Sequence, residues 1–480
     1  MTGSMDETMS GRYGQAIWWT LGGVFTAHVD GLLREGIIDG DAHIDVVNTI
    51  ASVGPATPPA GSLLQWAREF EDRVDALCPP RVKGVVRTGR GTPETIQTVA
   101  RLLVRRHLVV VGLEAESMME ALLSMAGAHV ATMLPAYARS EPVQPTTLAH
   151  FLGGTTGSLS RASDGLRHAT EVVNQSPMGS VAMASSRFAP ERRKIAAALE
   201  FDGIVVNTFD AVAAVDYLAI SARSIGTVAM SIDRLLRAIE EWIRAVPEAF
   251  VVSDEHVGRL SDVPQFRLPA LFAPLRDAVA EITMRVDGIE AWTRRAEYGP
   301  QLHFDLPLMA LVEAGERCVE ALDIARTLLT EAITVNRAVL GNKAGKAFLT
   351  MSDLVDFLIL EEQIAPGDAQ IIAARVLGMV RDQGIEIAAI TREIVDAAGL
   401  LVIGREIGIE FEAPSRYLAP RRFIESRNAE GGPAPAEMRR WIAEEQRRAA
   451  SRRAAWEADH VRFGRVDSRA LPDDDPTLAR

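Results

Sequence analysis

Between Asp210 and Val246, apolar residues recur at Val212, Val215, Leu218, Ala222, Ile225, Val228, Ile232, Leu235, Ile239, Trp242 and Val246. The steps are three and four, the period of an α-helix, and no proline interrupts them before Pro247. A helix of that span is roughly 55 Å long, whereas an average globular helix has about 11–12 residues. Such a stripe is buried best against helices of similar length, from the same chain or from other copies. The run from Leu306 to Leu340 has the same character. A third long helix is expected from Pro93 to His129, with Pro93 and Glu94 suited to its first turn. Strand signals are weak: 108–111 lies inside a helix-period segment, and only 400–403 and 407–409 read as short strands. The chain is predicted to be all-α.

The 480 residues are 48% hydrophobic, enough for a large buried core. Lys and Arg total 51 against 64 Asp and Glu, so the net charge is −13 and there is no basic surplus to neutralise the phosphates of a nucleic acid. Cys78 and Cys318 are the two cysteines, which excludes a disulfide framework or a cysteine-rich metal site and fits a reducing cytoplasm. No apolar run approaches the roughly 18 residues of a membrane helix. Asp6 and Glu7 stand where a signal peptide would be basic, so the expectation is a protein without membrane or export signals. Ile17-Trp18-Trp19 reads as part of an N-terminal helix packed on the body. The nine histidines include no HExxH, and Gly153, Gly154 and Gly157 form no phosphate loop. Met118, Met119 and Met125 read as core, and His150 as a packed or capping residue. Turn residues suggest an N-terminal helical domain over 1–90, a long-helix bundle over 91–345 and a C-terminal helical domain over 346–440. The Arg- and Glu-rich stretch 441–480 reads as a solvated helix ending in a disordered Pro472-Asp473-Asp474-Asp475-Pro476.

Several segments carry a more specific signal. Leu134-Pro135-Ala136-Tyr137, then Gln144-Pro145 and Leu148-Ala149-His150, resemble the motif MPGYTHLQxAQPxxxxH. Asn174 with Ser176-Pro177-Met178-Gly179-Ser180-Val181-Ala182 is similar to N..PLGSGA, and Asn207-Thr208-Phe209-Asp210-Ala211-Val212 to NSLDAV. Residues 348–358 are similar to FLTATDLADYL, and Gly367-Asp368-Ala369 and 431–435 match later segments more loosely. Taken in order over residues 88–435, these segments resemble argininosuccinate lyase, within the fumarase/aspartase superfamily. The resemblance implies a central long-helix bundle flanked by two smaller helical domains. It also implies a homotetramer with each active site built by three subunits, a small-molecule substrate and no cofactor. The implied chemistry is β-elimination, in which a base takes the proton beside a carboxylate and a C–N or C–O bond breaks to release fumarate.

The chemical positions depart from that pattern. The family's loop GSSIMPQKKNP falls on 259–269, with Pro264, Gln265 and Pro269 fixing the register. Its first serine, the presumed base, falls on Leu260, its lysine on Phe266 and its asparagine on Leu268. Ser261 and Arg267 keep the second serine and a cation. The Thr-His pair falls on Ala138 and Arg139, and the nearby glutamine on Glu141. Arginine grips anions but makes a poor proton shuttle at neutral pH. Thr88-Gly89-Arg90 is retained from the SRND segment, but its substrate-holding Arg and Asn are gone unless Arg90 substitutes. The YNKDLQEDK segment begins at Tyr298, with His303 in place of its glutamine. Ionisable residues stand at rebuilt positions: Arg87, Glu94, Arg139, Glu141, Asp262, Arg267 and His303. The expectation is a lyase with a rebuilt site, acting on a small polar or anionic substrate and unable to cleave argininosuccinate at an ordinary rate. Glu141, His303 and Ser261 are the candidate catalytic residues. Arg87, Thr88, Arg139, Gln144, Asn207, Arg267 and Tyr298 are the candidate substrate-binding ones. The alternative is a non-catalytic protein that keeps the tetramer, with these charges solvated or paired to each other.

Overall fold

The structure is a computed structural model describing residues 13–53, 61–138, 141–188, 191–260, 263–345, 348–410 and 416–468; for 259, 260, 264, 266–268 and 466–468 it describes the backbone alone. The N-terminal helices are α1 (Gly14–Arg34), α2 (Gly40–Val53) and α3 (Leu63–Leu77), followed by α4 (Thr92–Ala128). A hairpin of β1 (Met133–Ala138) and β2 (Glu141–Thr147) leads into α5 (Leu148–Val173). The short β3 (Gln175–Ser176) and β4 (Gly203–Ile204) pair in parallel across α6 (Arg192–Ala198). Then come α7 (Thr208–Ala213), α8 (Asp216–Ala245) and β5 (Phe250–Val252). A second antiparallel hairpin, β6 (Val257–Leu260) with β7 (Val263–Pro269), precedes α9 (Phe272–Thr293) and α10 (Asp305–Thr327). The chain continues through β8 (Ile333–Val335), α11 (Arg337–Ala344), α12 (Met351–Leu360), α13 (Pro366–Asp382), α14 (Arg392–Ile403) and α15 (Pro420–Ser426) to α16 (Pro435–Ser468).

The bundle forms because α4, α5, α8, α9 and α10 each bury a stripe against the others. On α8 the buried positions include Leu218, Ala222, Ile225, Ile232, Leu235, Ile239 and Trp242, at the predicted period. One continuous core runs from Tyr13 through the bundle to Phe463, and Trp18 packs inside it as expected. A second, smaller core joins Leu354, Ile372, Val376 and Leu418. Met118 and Met119 are core residues. Among the described residues no helix is long and apolar enough to cross a membrane.

Four details differ from the periodicity reading, each for a tertiary reason. The 210–246 run breaks at Ala214 and Val215, because the Val212 carbonyl accepts the Gln301 N–H (3.0 Å) instead of continuing the helical ladder. The 306–340 run ends at Thr327 in a π-turn, since β-branched Ile333, Thr334 and Val335 pair with Phe250–Val252. Residues 400–403 are the last turn of α14, closed by Gly404 at φ 73°, not a strand. Residues 407–409 are not a strand either: the Asp396 carboxylate accepts the Ile407 and Gly408 N–H groups (3.0 and 2.8 Å). The charged tail is also not simply solvated. α16 lies along α4, burying Trp456 beneath the Arg167 guanidinium (3.5 Å to the ring centre), with Ala449 and Phe463 also in the core. Some of its charged residues join that contact, Arg452 pairing with buried Glu116 of α4 (3.0 Å) and Glu445 being buried beside it; residues 469–480, including the acidic Pro472–Pro476 stretch, lie outside the described part.

Candidate active site

At the N-terminal end of α8, a buried carboxylate organises the first cluster. Glu94 sits in the first turn of α4, where its Oε1 accepts the Gly91 N–H (2.9 Å). Its Oε2 accepts the Val181 N–H (2.7 Å) and the Ser180 hydroxyl (3.5 Å). Burial pushes the Glu94 carboxyl above the usual range, opposed by these backbone N–H groups. The 176–182 loop lies so close to α4 that a Cβ on Gly91 would stand 2.6 Å from the Val181 carbonyl. Val181 has φ 58°, in the left-handed region, which a β-branched residue occupies only under constraint. Arg192 ties this loop to the next: its guanidinium donates to the carbonyls of Met178 (2.8 Å), Val206 (3.0 Å) and Val205 (2.7 Å).

Those contacts deliver Asn207 to the start of α7, where its Oδ1 accepts the Phe209 and Asp210 N–H groups (2.9 and 3.2 Å). The Tyr298 hydroxyl donates to Asp210 (2.7 Å), and its ring stacks on Phe209. That hydrogen bond favours the protonated phenol and raises its pKa. His303 is exposed just before α10, in a segment tied to α7 through Gln301 and Val212. Thr88 is half-buried; its carbonyl accepts the Nε2–H of buried His28 (2.9 Å).

The second cluster lies toward the C-terminal end of α8. The β1–β2 hairpin pairs Leu134 with Thr146 and Ala138 with Glu141. Gln144 and Tyr137 line a cavity of about 730 Å³ between this hairpin, α5, α8 and the 423–433 segment. Burial and the Glu241 charge raise the Tyr137 pKa. His150 meets Thr146 (2.8 Å) and the Gly431 carbonyl (3.1 Å), the packed role expected of it. At the base of this end Phe151 meets Trp242 edge to face and Trp242 stacks on Phe250, with ring centres 4.3 and 5.2 Å apart.

One chain therefore gathers Thr88, Asn207, Tyr298 and His303 near one end of α8, and Gln144 and Glu141 near the other. From Asp216 to Ala238 the helix rises about 33 Å. Glu141 and Gln144 are exposed. Arg139 and Ser261, with Asp262, lie outside the described residues, and Arg267 is placed on β7 by its backbone alone. Arg87 does not present a free guanidinium to a substrate: it pairs with Glu71 (2.5 Å), Asp72 (2.6 Å) and Asp75 (3.5 Å). Arg90 does not replace the lost arginine, because it is buried between Glu71 (2.5 Å), Thr95 (2.7 Å) and the Phe25 ring. Glu94 anchors the 176–182 loop through the Val181 N–H. The organising role of Arg192 carries no sequence signal, since it opens a basic triplet, Arg192-Arg193-Lys194, that reads as solvated surface. Among the described residues no cluster of His, Cys, Asp or Glu stands where it could hold a metal.

Comparison with known proteins agrees with this architecture. Residues 62–244 match the Lyase family model. An argininosuccinate lyase of Methanoculleus marisnigri is 27% identical over 438 residues, covering 90% of this chain and 87% of the relative. An argininosuccinate lyase 2 of Agrobacterium fabrum is 24% identical, covering 87% and 84%. The solved structure of EDDS lyase in complex with formate superimposes with a TM-score of 0.82 at 22% identity, covering 95% of this chain and 90% of the other. A class II fumarase from Schistosoma mansoni gives 0.65 at 12% identity, covering 85% and 90%. In its ordered motifs, long-helix bundle and near full-length similarity to these relatives, the chain resembles the argininosuccinate lyases and shares the fold of fumarase/aspartase-superfamily lyases.

Proposed function

We propose that the protein is a lyase of the elimination/addition type with a rebuilt active site. Its substrate is a small polar or anionic molecule, and ordinary argininosuccinate cleavage is not its reaction. The observation that carries this reading is the 176–182 loop. A valine at φ 58° costs roughly 1–3 kcal/mol, and here it is held by a buried carboxylate and a three-carbonyl arginine clamp. A chain that needed only the bundle would gain by relaxing that loop. The name of a structural neighbour, EDDS lyase, supports the idea that this scaffold serves substrates other than argininosuccinate. The separation of about 33 Å between the two clusters supports a site completed by other subunits, as in a homotetramer. Glu141 and His303 are the proton-transfer candidates, with Gln144, Asn207 and Tyr298 positioning substrate. Ser261, Arg139 and Arg267 remain proposed members on sequence grounds. The replacement of the presumed base, lysine and asparagine by Leu260, Phe266 and Leu268 favours a second reading, a non-catalytic tetramer.

A fumarate-absorbance assay on the purified chain, run in both directions, separates these readings. Release from argininosuccinate is expected to fall roughly 10²–10⁴-fold below the Methanoculleus relative, the effect of losing a general base. Consumption of fumarate with at least one of a panel of amines and amino acids is expected, and Glu94→Ala abolishes it. Argininosuccinate cleavage at the relative's rate contradicts the altered chemistry. Inertness toward the whole panel in a correctly assembled protein supports the non-catalytic reading.

A further inference from the structure

We infer that the cavity between α5, α8 and the β1–β2 hairpin binds a small organic anion with an apolar body, its charged head held between Arg161 and Arg234. The register of the two helices sets this up. The hydroxyls of Ser158 and Ser231 meet at 3.0 Å, and Ser224 donates to the Gly165 carbonyl (3.1 Å), so α5 and α8 run antiparallel. Arg161 and Arg234 each lie one turn C-terminal to their serine. Side chains on a helix lean toward its N-terminus, so in an antiparallel pair both arginines lean back toward the Ser158–Ser231 contact. Arg161 does so visibly, with its Nη1 3.6 Å from where a Cβ on Gly157 would sit.

Both arginines line the cavity, and among the described residues neither meets a carboxylate. The contrast is within the same molecule. A cavity of similar size, about 740 Å³, lies between α4, α9 and α10, but its Arg285, Arg317 and Arg326 are neutralised by Glu281, Glu313, Glu320 and Asp323. Arg427, at the rim of the first cavity, is likewise occupied by Asp353. The unpaired guanidiniums thus offer a two-pronged oxyanion grip with the serine hydroxyls between them.

Beyond the arginines the lining mixes an apolar floor of Phe151, Leu235 and Trp242 with the polar Tyr137, Gln144 and Glu241. Gly154 has nothing within 4 Å of its Cβ position, and Leu235, opposite it in the helix register, lines the same cavity. Phe151 and Trp242 close the floor. From Ser158 to Phe151 the helix rises about 10 Å, which fits a ring joined to its charged head by a few atoms. The ligand class is therefore an aryl-bodied carboxylate or phosphate. Gln144, proposed above to position substrate, lines the same cavity, so this anion site deepens that reading, while its test reads binding and needs no turnover.

Titration calorimetry on the full chain with phenylpropionate, phenyl phosphate, succinate and phenylpropanol tests this. At least one aryl anion is expected to bind roughly tenfold or more tightly than both succinate, which lacks the body, and phenylpropanol, which lacks the charge. The two aryl arms identify the head group. Arg161→Gln and Arg234→Gln each weaken that binding roughly tenfold or more. Gly154→Leu blocks it without lowering the unfolding midpoint, because leucine is the better helix former. Failure of both aryl anions to bind at millimolar concentration overturns the proposal. So does binding that survives all three substitutions unchanged.

Discussion

His28 shows how much a single side chain can hold in place. It is 1% exposed and donates to the Thr88 carbonyl, while burial and the neighbouring Arg90 charge lower its pKa from 6.5 to about 3. The unfolded chain takes up a proton there below pH 6.5, and the folded chain refuses it until far lower pH. Stability is therefore intact above pH 6.5 and is lost as pH falls through that window, by about 2 kcal/mol at pH 5. Urea denaturation at pH 7 and pH 5 should show this loss in the wild type and a reduction of it by that amount in His28→Gln, which keeps a donor but does not titrate. Equal losses in both proteins would remove His28 as the cause. Sequence reading reaches this scale unevenly. Asn207 is recognisable because a helix cap is local, followed at once by the N–H groups it serves. Arg192 and Glu94 are not, since their partners lie 13–14 and 87 residues away respectively in the loops they tie down.

At the scale of elements, long-helix periodicity survives folding wherever neighbours only cover a face. α4 and α8 are legible for that reason. It fails where a distant backbone group competes for the helical ladder, as Gln301 does at Val212, or where a strand partner is on offer, as Phe250–Val252 is to Ile333–Val335. The tail misleads in a different way. α16 is rich in charge, and its tightest contact with α4 is one aromatic seated against a glycine: a Cβ on Gly112 would stand 2.4 Å from the Trp456 ring. Gly112→Ala is expected to cost about 1–3 kcal/mol by overpacking, more than its gain in helix propensity. Because α16 is Arg-rich, limited trypsin digestion reads its detachment directly. Faster cleavage within 435–468 is the expected result, and an unchanged digestion pattern would show that the contact does not hold the helix.

For the whole molecule, the decisive feature is that, among the described residues, the 134–150 segment, with Glu141 and Gln144, stands at one end of α8 and the 176–182 and 207–212 segments at the other. The motifs and their order are legible in the sequence, and so is the leucine at 260 where the resembled loop carries a serine. The distance between the clusters is not, because it follows from how far a helix extends before its neighbours turn the chain. If the reactive groups are to converge, several copies must bring opposite ends of their bundles together. Light scattering on the purified protein, with turnover measured on the same sample, tests this most directly. Activity is expected only in an assembly of four 52.1-kDa chains, about 208 kDa; a catalytically active 52.1-kDa monomer would contradict the account.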